Sequence, residues 1–420
     1  MTRRGVWDIQ DVRDKLLSGD PWNRYNAIFT AGVNIYGQLG QNSQDGSGAG
    51  TKLAQVDSDA NFSHVGGGNE FSMGTTEDGK LYAWGNNQGG ILGLNQSAPV
   101  RRSSPVQVPG TTWASTCISD GKNIMATKTD GTAWFWGDTS YRMGSIAGLN
   151  SPTNYRSSPV LIGSGWSTNP SRGDKQKMIF TEKSGFAINT SGQMYSWGDN
   201  FTGNLGQNQS GPGENYAALV GPSDTTWQWV AGYEHSSTSN TAAIKTDGTL
   251  WMVGGGGAPN GCLGLGPYKP DGISSPTQIG TLTTWTSVSG GQCGSYGGGF
   301  AAMNAAGNII VWGHTNYGTF GTNQYDVQFS SPYTLPGGPY KMAQICENTM
   351  IRMKADDTLW ASGDLHTVGM VPETGHQFMS SPVQIPGTNV GFSSDNIGIY
   401  GKSTYLHMGV ITPNLTPSQL

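Results

Sequence analysis

Seven short segments along this chain are versions of one another. The clearest runs Asp78-Gly79-Lys80-Leu81-Tyr82-Ala83-Trp84-Gly85-Asn86-Asn87 and is followed by Ile91-Leu92-Gly93. Asp-Gly is a tight-turn pair, because glycine tolerates the positive φ that a hairpin turn needs. Leu81 to Trp84 is a short apolar run with aromatic content, suited to a strand covered on both faces. The pattern returns around Trp136-Gly137, Trp197-Gly198, Val253-Gly254, Trp312-Gly313 and Ser362-Gly363, and a worn copy opens the series at Ala31-Gly32. The anchoring glycines 32, 85, 137, 198, 254, 313 and 363 are spaced by 53, 52, 61, 56, 59 and 50 residues. A repeat with a period near fifty describes one array with a shared core, not the two or three separate domains that length alone would indicate.

Composition agrees with an all-β array. Glycine accounts for 65 of 420 residues and charged residues for only 12%, a mix suited to many short strands joined by tight turns. The net charge of −5 argues against wrapping nucleic acid, which needs a basic face. No apolar run is long enough to span a membrane. Cys117, Cys262, Cys293 and Cys346 form no C-x-x-C pair; they read as small buried hydrophobes, not zinc ligands.

A second signature follows each Leu-Gly turn: Ser103-Ser104-Pro105, Ser157-Ser158-Pro159, Ser274-Ser275-Pro276, Ser330-Ser331-Pro332 and Ser380-Ser381-Pro382. Proline lacks an amide proton and belongs on an edge or at a strand start. The segment Glu214 to Val220 lacks this signature. Tyr25 to Gly32 reads as the final strand of a repeat whose earlier part is missing, and Ser403 to Gly409 reads as the strand that precedes such a turn. The two chain ends are therefore expected to complete one blade and close a ring, removing the open sheet edges.

This cycle of D-G, L-Y-x-W-G-x-N, L-G, S-S-P-V and W-x-x-V resembles the repeats of the regulator of chromosome condensation family, over about residues 25 to 410. The resemblance implies an all-β, seven-bladed β-propeller of four-stranded blades, closed by the N- and C-terminal strands. The expected organisation is an anchor segment at 1–24, the propeller at 25–410 and a tail at 411–420. The founding protein of that family is a nuclear exchange factor that binds nucleosomes and a small GTPase. Nothing in this chain matches an exchange motif residue by residue, and no basic tail is present.

The first 24 residues lie outside the repeat. Asp8 is placed to act as an N-cap, Ile9, Val12 and Leu16 share one helical face, and Ser18-Gly19-Asp20-Pro21 stops the helix. A helix of about ten residues needs a surface to pack on, and Trp7 and Trp22 flank it as anchors. Gly5-Val6-Trp7-Asp8-Ile9-Gln10-Asp11-Val12 with Pro21-Trp22 resembles the leader of virion proteins of tailed bacteriophages. That resemblance implies a virion protein of the tail, fibre or capsid surface, docked on other virion proteins through Trp7, Ile9, Val12, Leu16 and Trp22. The alternative is a cellular, cytoplasmic propeller acting as a protein–protein interaction module.

No catalytic constellation is visible: the six histidines form no H-E-x-x-H and no nucleophile elbow occurs. No catalytic residue, metal or cofactor is expected. Asp57-Ser58-Asp59-Ala60-Asn61 begins like a calcium loop, but Phe62 and Gly68 stand where glycine and glutamate are required. The longest insertions are Gln41 to Lys52, Ser145 to Tyr155, Gln207 to Tyr216, Gly254 to Asp271 and Asn323 to Phe329. They read as display loops for a host-surface glycan or protein or for neighbouring subunits, with Tyr155, Tyr216, Tyr268 and Tyr325 as the contact residues.

Overall fold

Strands hydrogen-bonded to strands from elsewhere in the sequence join the two halves of the chain. In the computed structural model, Asn26–Val33 pairs antiparallel with His407–Pro413, from Asn26 opposite Pro413 to Gly32 opposite His407. Ala49–Gln55 and Ile397–Tyr400 complete this sheet on either side. The closing sheet thus takes its two outer strands from near the N-terminus and its two inner ones from near the C-terminus; Asn26–Val33 is its third strand and not the final one, because Ala49–Gln55 pairs outside it. The strand His407–Pro413 runs past residue 410.

The structure describes residues 26–44, 49–96, 100–116, 118–119, 123–138, 155–168, 176–181, 184–221, 224–235, 238–254, 261–266, 272–293, 297–365, 378–385, 397–400 and 407–413. The helical anchor proposed for residues 1–24, with Trp7, Ile9, Val12, Leu16 and Trp22, lies outside the described residues, as does Tyr268. Among the described residues no helix is long and apolar enough to cross a membrane.

The strands make seven hydrogen-bonded sheets. Sheet 1 is the closing sheet. Sheet 2 contains Phe62–Gly67, Phe71–Thr76, Leu81–Asn86 and Arg101–Gln107; sheet 3 contains Trp113–Thr116, Asn123–Lys128, Thr132–Asp138 and Tyr155–Ser164. Sheet 5 contains Trp227–His235, Thr238–Lys245, Leu250–Gly254 and Ile273–Gln278. Sheet 6 contains Trp285–Cys293, Gly297–Asn304, Ile309–Thr315 and Val327–Thr334, and sheet 7 contains Tyr340–Cys346, Thr349–Lys354, Leu359–Asp364 and Phe378–Gln384.

These six sheets are four-stranded, which corrects the expectation of seven four-stranded blades. Sheet 4 has five strands: Met178–Phe180, Ser184–Ile188, Met194–Asn200 and Gly211–Leu219, plus Ile118–Ser119. Ile118 and Ser119 continue the inner strand of sheet 3 and pair parallel with Ile179 and Phe180. The physical reason is crowding at the axis, where the innermost strand of one sheet comes within hydrogen-bonding range of the next.

The anchoring glycines have a common cause. In every sheet the ladder to the outer strand shifts register at the residue before the glycine, as between Ala83 and Gly85 or Val311 and Gly313. Each glycine carries the twist of that bulge at φ between 93° and 112°. A Cβ on Gly313 would stand 2.3 Å from the Gly298 carbonyl oxygen. Space and backbone both require glycine there.

The residue before the glycine points between sheets. Trp84, Trp136, Trp197 and Trp312 are fully buried. Trp84 Nε1 donates to the Gln38 carbonyl at 2.8 Å, and Trp136 Nε1 donates to the Ile91 carbonyl at 2.8 Å. The acceptor in each case lies in the Leu-Gly turn of the preceding sheet. Burying such a ring is worth roughly 3–5 kcal/mol against alanine, so each repeat is stabilised mainly through its neighbour. The core is accordingly a series of clusters spanning adjacent sheets, such as Tyr233, Met252, Leu263 and Trp285 with Phe300 and Trp312.

Candidate binding face

The strand directions sort every connection to one of two ends of the ring. In sheets 2 to 7 the chain runs from the inner strand outward through antiparallel neighbours. The second and third strands are therefore joined at one end, by turns such as Asp78-Gly79 and Asp247-Gly248. The connections between third and outer strands all emerge at the other. All five of the long insertions leave at this second end, the loop end.

A repeated clasp fixes the roots of these loops. Asn42, Asn95, Asn208 and Asn323 each adopt a left-handed backbone, with φ from 56° to 63°. Their amide groups donate to the carbonyls of Ser103, Ser157, Ser274 and Ser380 in the next sheet, at 2.7 to 2.8 Å. The following serine hydroxyl donates to the same asparagine's Oδ1, as from Ser158 to Asn95 and from Ser275 to Asn208, both at 2.9 Å. Gly266 takes the asparagine's place against Ser330. The Ser-Ser-Pro signature is thus the receiving half of an inter-sheet lock. The outer strands of sheets 1 and 4, Ala49–Gln55 and Gly211–Leu219, carry no such serines.

The predicted contact residues fall as follows. Tyr155 is the first residue of an outer strand, 42% exposed. Its ring lies over Gly89 of the preceding loop, where a Cβ would meet Cδ1 at 2.4 Å. Tyr325 lies in the loop before Val327–Thr334, 58% exposed, with its hydroxyl donating to the Phe378 carbonyl at 3.2 Å. Tyr216 is 64% exposed but belongs to the strand Gly211–Leu219, not to a loop. Gly211 and Glu214 of this strand pair with Asn200 and Gly198 in its ladder to Met194–Asn200. Tyr155 and Tyr325 sit at different sheet junctions, so these two do not share one pocket.

Two further aromatic features at this end escaped the sequence reading. Phe201, beside the Leu-Gly turn of sheet 4, is 68% exposed. Tyr317 stacks on Phe378 of the next sheet, with centroids 4.3 Å apart and planes 22° apart. Its φ of 60° is a rare backbone for an aromatic residue. Aligning the loops could have found it: Tyr36 holds the same place before its Gly-x-Leu-Gly turn, and Arg101 lies 4.6 Å over that ring. These groups are suited to stacking and hydrogen bonding, not to bond making.

The calcium-like segment is used by the fold. Asp57 Oδ2 accepts from the Ser104 hydroxyl at 3.1 Å, and among the described residues no cluster of metal-ligating side chains occurs. Cys262 is a buried free thiol whose Sγ donates to the Gly298 carbonyl at 3.3 Å, and Cys346 is a half-buried one.

Family models for the regulator of chromosome condensation (RCC1) repeat match residues 62–91 and 78–117. The regulator of chromosome condensation of Mus musculus is 26% identical over 332 residues, covering 74% of this chain and 73% of that protein. The human WBSCR16 structure is similar with a TM-score of 0.72 at 14% identity, covering 94% of this chain and 100% of that one. Prp20p of Saccharomyces cerevisiae, studied for its binding to Gsp1p and histones, gives 0.70 at 13% identity, covering 94% and 93%. At such identities the two structures speak to the fold alone. The chain carries RCC1 repeats on an RCC1-like β-propeller fold.

Proposed function

We propose that this protein is a non-catalytic propeller that binds protein partners through the loop end of its ring. The observation that carries the reading is the placement of Phe201, Tyr317 and Tyr325, large aromatic groups left exposed at one end of the ring. Rigidly held, exposed aromatic groups are the usual anchors of protein interfaces. The similarity to mouse regulator of chromosome condensation supports an interaction role. In this reading the five-stranded sheet is a seventh blade. Its support is the cyclic contact of the inner strands, from Ile397–Tyr400 through each sheet and back.

The test is site-specific photo-crosslinking. A photoreactive residue is placed at Tyr325, at the loop end, and in a second protein at Thr111, an exposed residue at the turn end. Crosslinks to a reproducible protein partner from position 325 and not from 111 support the reading. Crosslinks from 111 alone, or from neither, overturn it.

A virion setting is the narrower proposal, and its support is the leader sequence around Trp7 and Trp22. There the propeller would meet other virion proteins through residues 1–24 and a host glycan or protein through its loops. Co-sedimentation with propeller-deficient particles, with and without residues 1–24, tests it; equal behaviour of the two chains removes it. Otherwise the cellular interaction module stands.

A further inference from the structure

The turn end of the ring holds a repeated cation slot. In sheets 3 and 5 the second strand ends in a lysine, and its ammonium lies over two indoles. Lys128 Nζ is 4.8 Å from the Trp113 ring and 4.6 Å from that of Trp134. Lys245 Nζ is 4.7 Å from Trp227 and 3.9 Å from Trp251. In sheet 7 Lys354 Nζ lies 3.9 Å over Trp360. An aspartate follows two residues later, Asp130, Asp247 or Asp356, fixed by the hydroxyl of Thr132, Thr249 or Thr358.

Sheet 2 keeps the frame of this slot and lacks its lysine. Phe62 and Tyr82 stand where sheet 3 has Trp113 and Trp134. Their rings are 5.9 Å apart at 71°, against 6.1 Å and 72° for Trp113 with Trp134 and 6.2 Å and 79° for Trp227 with Trp251. Asp78 matches Asp130. The lysine position is Thr76, whose short side chain turns to Asp78. A cavity of about 540 Å³ opens beside Tyr82, the one ring of this pair that it reaches, with Ser58, Asp59, Asn61, Thr76, Glu77 and Asp78 around it; Phe62 is fully buried and is not part of the lining. Lys80 also lines it, but its ammonium is held by Asp78 Oδ2 at 2.6 Å. Asp59 and Glu77 add two more exposed carboxylates at the rim.

We infer that this cavity binds an alkylammonium group from outside the chain, the side chain of a lysine on a partner protein. Three lysines of this protein already show the ligand chemistry at the same place in the repeat. A cation over an aromatic face with carboxylates nearby is held by both the ring quadrupole and charge. The site is at the opposite end of the ring from the exposed loop aromatics, and it stands whether or not those bind.

The probe is Nα-acetyl-lysine amide, with Nα-acetyl-norleucine amide as its uncharged counterpart, in a titration of the full chain followed by ligand-observed NMR. The lysine probe is expected to bind about tenfold more tightly than the norleucine probe. Thr76→Lys supplies the internal lysine that sheets 3 and 5 have, and is expected to weaken probe binding by about tenfold or more. Asp59→Asn with Glu77→Gln changes only exposed residues and keeps the fold; it is expected to weaken binding by roughly threefold to tenfold. Absence of lysine-probe binding, equal binding of the two probes, or wild-type affinity in both variants overturns the assignment.

Discussion

Arg352 donates from Nη2 to the Ser362 hydroxyl at 2.8 Å, and the Ser362 hydroxyl in turn donates to the Thr319 carbonyl at 2.7 Å. Together they fill the space that a small residue and a large one fill elsewhere. In sheets 2 to 6 the position of Arg352 is Gly74, Ala126, Ala187, Ala243 or Ala302. The position of Ser362 is tryptophan in four of these sheets and Val253 in sheet 5. Thr319 is the counterpart of Gln38 and Ile91, whose carbonyls accept from the Trp84 and Trp136 indoles. Arg352 Nη2 also reaches the Phe320 carbonyl at 3.1 Å.

The exchange is therefore reciprocal. Arg352→Ala alone is expected to destabilise the protein by roughly 2–5 kcal/mol, by opening a cavity and removing two buried hydrogen bonds. Adding Ser362→Trp restores the arrangement of sheets 2 and 3 and is expected to recover at least about half of that loss. A double-mutant cycle read by urea denaturation checks this. Burial pushes the Arg352 guanidinium below its ordinary pKa.

The clasp residues separate backbone strain from hydrogen bonding. Asn95→Ala loses the bond from Ser158 and places alanine at φ 57°; it is expected to cost about 1–2 kcal/mol. Asn95→Gly loses only the bond and is expected to cost about 1 kcal/mol or less, given that glycine favours this backbone. Gly266 against Ser330 is the natural precedent. Thermal unfolding of the two variants side by side makes the comparison.

Two glycines with positive φ are expected to respond differently to alanine. Gly131 has φ 76° and no atom within 4 Å of where a Cβ would stand, so Gly131→Ala is expected to cost about 1 kcal/mol of backbone strain. Gly313 has φ 105° and a carbonyl at 2.3 Å; Gly313→Ala is expected to cost roughly 3 kcal/mol or more, because the bulge itself must move. Soluble yield and urea midpoint report both.

The Asp-x-Thr turns set an acid limb to stability. Asp247 is held below the ordinary carboxylate range by the Thr249 hydroxyl and then by the Thr249 amide, with a small opposing effect of burial and a further lowering by Lys245. A carboxyl whose folded pKa is depressed contributes stability that is complete above the unfolded value of about 3.9, and that contribution is lost as pH falls through the folded value. Thr249→Ala is expected to move the Asp247 titration upward towards the unfolded value. Carbon-detected NMR titration of the aspartate carboxyls checks the direction.

Much of the architecture is legible from residues whose role is local. Trp84-Gly85 and its relatives mark the bulge, Asp78-Gly79 marks the turn, and the spacing of the glycines gives the array. Even the split sheet can be read, because the segments at Tyr25 and Ser403 are complementary fragments of one repeat. Contacts between sheets are another matter. The Ser-Ser-Pro signature is plain in the sequence, but its partner Asn95 lies more than sixty residues from Ser158, and nothing in either segment names the other. The lysine slots need three positions from three strands. Tyr216 reads as a loop residue because it closes the long insertion Gln207 to Tyr216, whereas the neighbouring strand holds Gly211–Leu219 in a ladder. Ile118 and Ser119 join a second sheet only because the axis brings it close.

The pairing of Asn26–Val33 with His407–Pro413 also has a meaning in time. During synthesis the first of these strands leaves the ribosome long before the second; at about 5–20 residues per second the gap is roughly 20–80 s. Throughout that interval one edge of a strand whose residues are almost all buried in the finished ring has no partner from its own chain. The last described strand to be made is the one that covers the first. Until residues 407–413 emerge, the ring has an open strand edge at this sheet, and a chain without them keeps it.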